Sequence, residues 1–261
     1  MSGLSFDSVV EMYDETRGLP PPLMDRVVEA LLEILGPHAP VLDVGVGTGR
    51  FAAPLQARGL RVVGADIAPR MLARARQKGC RDLVLATAPH LPFRDGAFGA
   101  AAAIHFLHLV AAWRDAVREI ARVTRDRFVT LLETVTTRPV GSNDVRTGYG
   151  PGDVYHPVRH YDELARAQGY VYEHPGVRPQ DLSSRILPQV RVHAGRHVAV
   201  LTGEMLLAPA AAKSYSSQWG VPDDIHAAVI EELTREMSGR RYERTWEVEV
   251  IAWAPAAMRD L

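Results

Sequence analysis

The chain has 261 residues, with 30 lysines and arginines against 31 aspartates and glutamates, a net charge of −1. So even a balance offers no basic field for nucleic acid or an anionic membrane, and this length accommodates one large α/β domain with appendages. Cys80 is the only cysteine, which excludes an internal disulfide and a cysteine-rich zinc site and suits a reducing cytoplasm. No leader-like stretch and no apolar run near the ~20 residues of a spanning helix is read, so a cytoplasmic protein is expected.

Residues 5 to 17 read as a short helix, broken by Gly18-Leu19-Pro20-Pro21-Pro22. A second helix spans about Leu23 to Leu35, with Val27, Val28, Leu31, Leu32 and Leu35 at helical spacing, and Gly36-Pro37 stops it. Together these form an expected N-terminal helical cap, residues 1–37.

Val41-Leu42-Asp43-Val44 then reads as a buried strand, followed by Gly45, Gly47 and Gly49 and a helical stretch, Phe51 to Arg58. A strand that feeds a helix through small residues lets a ligand lie against bare backbone. Asp43 puts a carboxylate at the mouth of the turn. Arg61 to Asp66 is a second strand ending in an acid, at the spacing of the carboxylate that receives ribose hydroxyls, about 20 residues beyond the glycines. The dinucleotide fingerprint needs a glycine where Arg50 stands; here the third glycine comes one residue early. Arg50 and Asp43 both disfavour a pyrophosphate, whereas an acid suits an ammonium group.

Asp43-x-Gly45-x-Gly47-x-Gly49, then Asp66, then Met71, resembles the S-adenosylmethionine-dependent methyltransferases of the Rossmann-like type, whose cofactor has an amino-acid end, a ribose and no phosphate. The resemblance implies that Asp43 orients the amino-acid end, that Gly45, Gly47 and Gly49 admit it by backbone contact, and that Asp66 holds the ribose. It gives Ile67 and Met71 contact with the adenine, and Tyr13 of the leading helix a reach to the amino-acid end. Thr87 or the Ala88 backbone stands where the family commonly has an aspartate bonding the adenine amino group.

Pro69 opens the next helix, Asp82 to Ala88 is a third strand, and Leu91-Pro92-Phe93 with Asp95-Gly96-x-Phe98 looks like the family's segment after it. The fourth strand, Gly99 to Ile104, delivers His105 to the carboxyl edge of the sheet, where the crevice of an open α/β fold lies. His105 is expected to border the transferred methyl, and His105 or His108 is a candidate general base. The competing reading has His105 only packing over the cofactor. His-x-x-His lacks further ligands at metal spacing, so no metal is expected. A helix covers Ala116 to Val123 and a fifth strand Arg127 to Thr134.

Residues 137–159, rich in Gly, Pro and Asn and containing Tyr149, Tyr155 and His156, read as a lid over the acceptor. A helix from Tyr161 to Gly169 and a strand from Tyr170 to His174 follow. Alternation from Gln189 to Leu207 suggests more strand, Asp223 to Met237 is helical, and Arg244 to Ala254 is the last, antiparallel strand. The expected fold is α/β: a doubly wound, mostly parallel seven-stranded sheet with helices on both faces, spanning 38–261 with insertions about 137–159 and 176–222. The expected function is methyl transfer from S-adenosylmethionine to a small-molecule acceptor; nucleic acid and membrane are not expected partners, and a homodimer is left open. Two alternatives remain: an NAD-dependent oxidoreductase, which lacks a Tyr-x-x-x-Lys pair, and a module that binds the cofactor without transferring its methyl.

Overall fold

The structure, a computed structural model, describes residues 10, 14, 18–141, 157–259 and 261. Tyr13, Tyr149, Tyr155 and His156 lie outside them, as does most of the expected leading helix. In chain order the elements are α1 (Pro21–Leu35), β1 (Val41–Val44), α2 (Ala52–Ala57), β2 (Val62–Asp66), α3 (Pro69–Gln77), β3 (Asp82–Leu85), β4 (Phe98–Ala102), α4 (Trp113–Val123) and β5 (Thr124–Pro139). Then come α5 (Pro157–Ala167), α6 (Pro179–Arg185), β6 (Val190–Thr202), α7 (Gly203–Ala211), α8 (Asp223–Met237) and β7 (Arg241–Trp253).

The strands form one seven-stranded sheet in the order β3-β2-β1-β4-β5-β7-β6. β1 pairs in parallel with β2 and β4, and β4 with β5. β7 runs against its neighbours. The Val140 amide donates to the Arg241 carbonyl and Arg138 pairs with Glu243, so β7 retreats as β5 advances; Gln189 to Ala252 and Gly203 to Arg240 set the same sense against β6. The order turns back between β1 and β4, and that switch point opens the crevice at the strands' carboxyl ends. The expected sheet is the one found.

By contacts the chain divides into two compact units, residues 1–132, 174–195 and 248–261, and residues 133–173 and 196–247. The division does not follow residue 37: α1 belongs to the first unit, and the stretch 176–222 is shared between the two. In the first unit β1 is buried throughout, as a parallel central strand covered on both faces must be. Trp253 is almost fully buried there; its ring stacks on Phe128 at 5.8 Å and its Nε1–H donates to the Ile186 carbonyl at 2.8 Å. In the second unit α5, α7 and α8 bury Tyr161, Leu206, Leu207, Val229, Leu233 and Met237 with Tyr242 of β7, and the Tyr161 hydroxyl bonds His226 Nδ1 at 2.7 Å.

Two expected strands change. The stretch 170–174 has no strand; the Tyr170 amide turns back to the Ala165 carbonyl at 3.0 Å and closes α5. The alternation read as far as Leu207 stops at Thr202, whose hydroxyl accepts from the Met205 amide at 3.3 Å and caps α7.

Replacing Trp253 by alanine removes the largest fully buried side chain and leaves the Ile186 carbonyl without its donor. The expected loss is about 3–5 kcal/mol in urea unfolding, and Trp253→Phe, which keeps a ring but not the N–H, should lose clearly less.

Candidate active site

Gly45 and Gly47 continue from β1 with φ of +73° and +55°. Only glycine takes this region without strain, and at Gly45 a Cβ would overlap the Phe106 ring as well. At Gly47 an added Cβ would meet nothing nearer than the Gly45 carbonyl oxygen at 4.0 Å, because the backbone there faces a cavity. Gly49 sits apart from that cavity, against Cys80 and Ala75.

The cavity measures about 320 Å³ and lies within the first unit. Asp66 stands in its wall. The Oδ2 of this carboxylate accepts from the Gly47 amide at 2.8 Å and its Oδ1 from the Ala68 amide at 2.9 Å, so two backbone donors orient it. Ile67, Met71 and Leu91 supply apolar wall, Thr87 and Ala88 line the side beyond β3, and His105 with Phe106 lines the side beyond β4. Leu91 is held from α4: its amide donates to Glu119 at 2.9 Å, and Arg122 clamps Glu119, Asp95 and the Phe93 carbonyl. That clamp pulls the Glu119 carboxyl below its usual range, the Arg122 bond being the largest cause.

Asp43 is not in the wall. It is 5% exposed, between Gly64 of β2 and Ala102 of β4, so the acid expected at the mouth of the turn is inside the sheet. Burial, then repulsion from Asp66, pushes its carboxyl up to about 7, with Arg50 pulling the other way.

His105 reaches the cavity with φ of +54°, a left-handed conformation uncommon outside glycine. Its Nδ1 lies 2.6 Å from Arg50 Nη2. Arginine has only donors, so Nδ1 accepts, and the neutral ring carries its proton on Nε2. His108 is outside the wall, its ring edge-on to His174 at 5.2 Å. Among the described residues, no group of three or more His, Cys, Asp or Glu is placed to hold a metal ion.

Residues 42–127, which build this turn, the cavity wall and α4, match the family model described as a methyltransferase domain. The chain carries a class I methyltransferase domain. It is of the S-adenosylmethionine-dependent kind that its first two strands resemble. An uncharacterized methyltransferase of Mycobacterium sp. (strain JLS) is 32% identical over 183 residues, covering 69% of this chain and 66% of that protein. A demethylmenaquinone methyltransferase of Beutenbergia cavernae is 36% identical over 138 residues, covering 51% and 58%. A Thermotoga maritima structure, titled a SAM-dependent methyltransferase and possible histamine N-methyltransferase, is 16% identical at a TM-score of 0.47, covering 95% of this chain and 97% of that one. The chain spans about two thirds or less of the length of these sequence relatives.

Of the residues expected at the cofactor, the methyltransferase domain brings Gly45, Gly47, Asp66, Ile67, Met71, Thr87, Ala88 and His105 to one cavity and leaves out Asp43 and Gly49, while Tyr13 lies outside the described residues; His108, expected only as a candidate base, is also outside the lining. Sequence reasoning missed Asp14, which accepts from the Thr48 hydroxyl at 2.6 Å and pairs with Lys78 at 2.5 Å. Val10 is buried beside Ala68 and Met71. It also missed Phe106, whose only local signal is the position next to His105.

Because the folded state holds the Asp43 proton up to about pH 7 while an unfolded chain releases it near 3.8, ionisation opposes folding across that window. Stability of the wild type relative to Asp43→Asn should therefore fall as pH rises from 4 to 7 and then level off. The drop should be on the order of a few kcal/mol, read from urea unfolding of both proteins at each pH.

Proposed function

We propose that the protein transfers a methyl group from S-adenosylmethionine to a small-molecule acceptor. The observation that carries this is the Asp66 carboxylate, aimed into the cavity by the Gly47 and Ala68 amides at the carboxyl end of β2. A carboxylate oxygen accepts more than one hydrogen bond, so two backbone donors do not exhaust a group that is to receive ribose hydroxyls. Ile67, Met71 and Leu91 suit an adenine, Thr87 and Ala88 stand at its edge, and the Gly47 backbone leaves room for the amino-acid end. The cavity lies in the range of small-molecule sites, roughly 300–1,000 Å³. The demethylmenaquinone methyltransferase among the relatives is named for a small acceptor, which supports a small one here. The single cysteine is buried and free, in keeping with a reducing cytoplasm.

When bound, the cofactor supplies an already activated sulfonium methyl. The chain's task is alignment and exclusion of water rather than bond polarisation. His105 enters the cavity as a hydrogen-bond donor, since Arg50 occupies the lone pair through which the ring would act as a base at Nδ1. This revises its expected role: it positions, and the acceptor reaches the site deprotonated or nucleophilic without it. The same Arg50 stands where a dinucleotide fold needs glycine, which argues against NAD.

Calorimetric titration with S-adenosylhomocysteine should show binding that Asp66→Ala weakens about 100-fold, two hydrogen bonds to a charged acceptor being lost. Binding of NAD in its place would overturn the reading, and binding without turnover across a broad panel of acceptors would turn it into a sensor. For the methyl transfer itself, His105→Asn should lower kcat while leaving the pH–rate profile unchanged in shape; a basic limb that disappears with the imidazole would restore the general base.

A further inference from the structure

Among the described residues, the second unit carries a cation, Arg244, that no carboxylate pairs. On β7, acids and arginines alternate across the sheet: Arg138 of β5 pairs with Glu243, and Arg196 of β6 pairs with Glu247 at 3.3 Å. These pairs mark one face. Residues 242, 244 and 246 lie on the other, where Tyr242 joins the unit's core. The register set by Val140 opposite Arg241 and Arg138 beside Glu243 places Thr137 opposite Arg244, and facing residues of an antiparallel pair share a face.

Neither of these polar side chains is satisfied. Thr137 is completely buried and its hydroxyl has no hydrogen-bond partner. The Arg244 Nε is buried without one, and among the described residues no carboxylate pairs with the guanidinium. Arg244 is half-buried, and desolvation pulls it below the usual arginine range, only the Tyr215 phenol opposing. What holds the guanidinium is a ring: it lies over Trp246, 5.0 Å from the centroid, and Trp246 lies against His197 of β6 at 5.8 Å. A desolvated cation fixed on an aromatic face, with its nitrogens short of acceptors, is preorganised for an anion.

We propose that Arg244, backed by Trp246 and His197, is a carboxylate receptor through which the second unit binds an acidic small molecule bearing a ring. The Nη edge, the part of the guanidinium not closed in, takes the two carboxylate oxygens through parallel N–H donors. Among the described residues no second cation acts on Arg244, and one cation matches a single negative charge, so a carboxylate fits better than a phosphate dianion. The partly exposed Trp246 and His197 rings offer an apolar seat for the rest of the ligand. The receptor lies wholly within the second unit and does not rest on the function proposed above.

The test is calorimetry on the full chain in low-chloride buffer with benzoate, phenylacetate and indole-3-acetate, each against its neutral amide. At least one acid should bind, with its amide at least about tenfold weaker, and Arg244→Met should bring the acid down to the level of the amide. Arg244→Lys keeps the charge but not the fork, and should lose several-fold of the preference for acid; it carries the test if the methionine variant does not fold. Absence of binding by all three acids at millimolar concentration, equal binding of acid and amide, or wild-type affinity in the variants would overturn the proposal. S-adenosylhomocysteine titrated into the same samples reads the first unit separately: its failure to bind counts against the methyltransferase reading and leaves the carboxylate result standing.

Discussion

The hydrogen bond from the Gly47 amide to Asp66 is the contact on which the site depends. β1 and β2 run in register to Val44 and Ala65, and the Gly45 and Val46 amides extend the ladder by bonding the Ala65 carbonyl. The chain then leaves the sheet, and the side chain of the next β2 residue takes over from its backbone. One carboxylate thus fixes the height of the glycine turn above the strand ends and, through Ala68, the entry into α3. The Phe106 ring, lying where any side chain on Gly45 would be, brings the end of β4 against the same turn. Three strand ends converge, and the cavity is the space between them.

The acid ending β2, Gly45 and Gly47 at fixed offsets, and the helices α1, α3 and α8 were legible because their signals are local: small residues, helical spacing and, at Pro69, a proline in a first turn; Pro21, read as part of a break, is instead the first residue of α1. Asp43 was not, because a sequence gives residue type and spacing but not exposure. A central strand paired on both edges and covered on both faces has no outward position, so an acid there must be buried wherever the pattern places it. The partnership of Arg50 with His105 spans 55 residues and leaves no periodic trace. The second unit was read worst for a related reason. Its strands are half-buried and its α7 is apolar with an internal proline, so alternation and helical spacing both fade where 170–174 and 203–207 were assigned.

The two carboxylates near the turn are divided by their donors. Asp66 has two backbone N–H groups aimed at its oxygens. Asp43 has no such donors among the described residues, and burial, then repulsion from Asp66, pushes its carboxyl up to about 7. Asp66 is the carboxylate in the wall of the cavity, and Asp43 lies behind it inside the sheet.

Arg50 connects that arrangement to the opposite wall. It lowers the cost of charge at Asp43, stacks over Phe51 at 4.7 Å, and bonds His105. A non-glycine residue in the left-handed region costs about 1–2 kcal/mol, and such conformations persist where surrounding contacts determine them. Here the Arg50 bond to the imidazole and the seat of Phe106 on Gly45 hold two consecutive residues, the third and fourth beyond β4. Strain at His105 is thus sustained by the glycine turn across the cavity, and a substitution at Arg50, itself outside the lining, acts on the wall through its bond to His105.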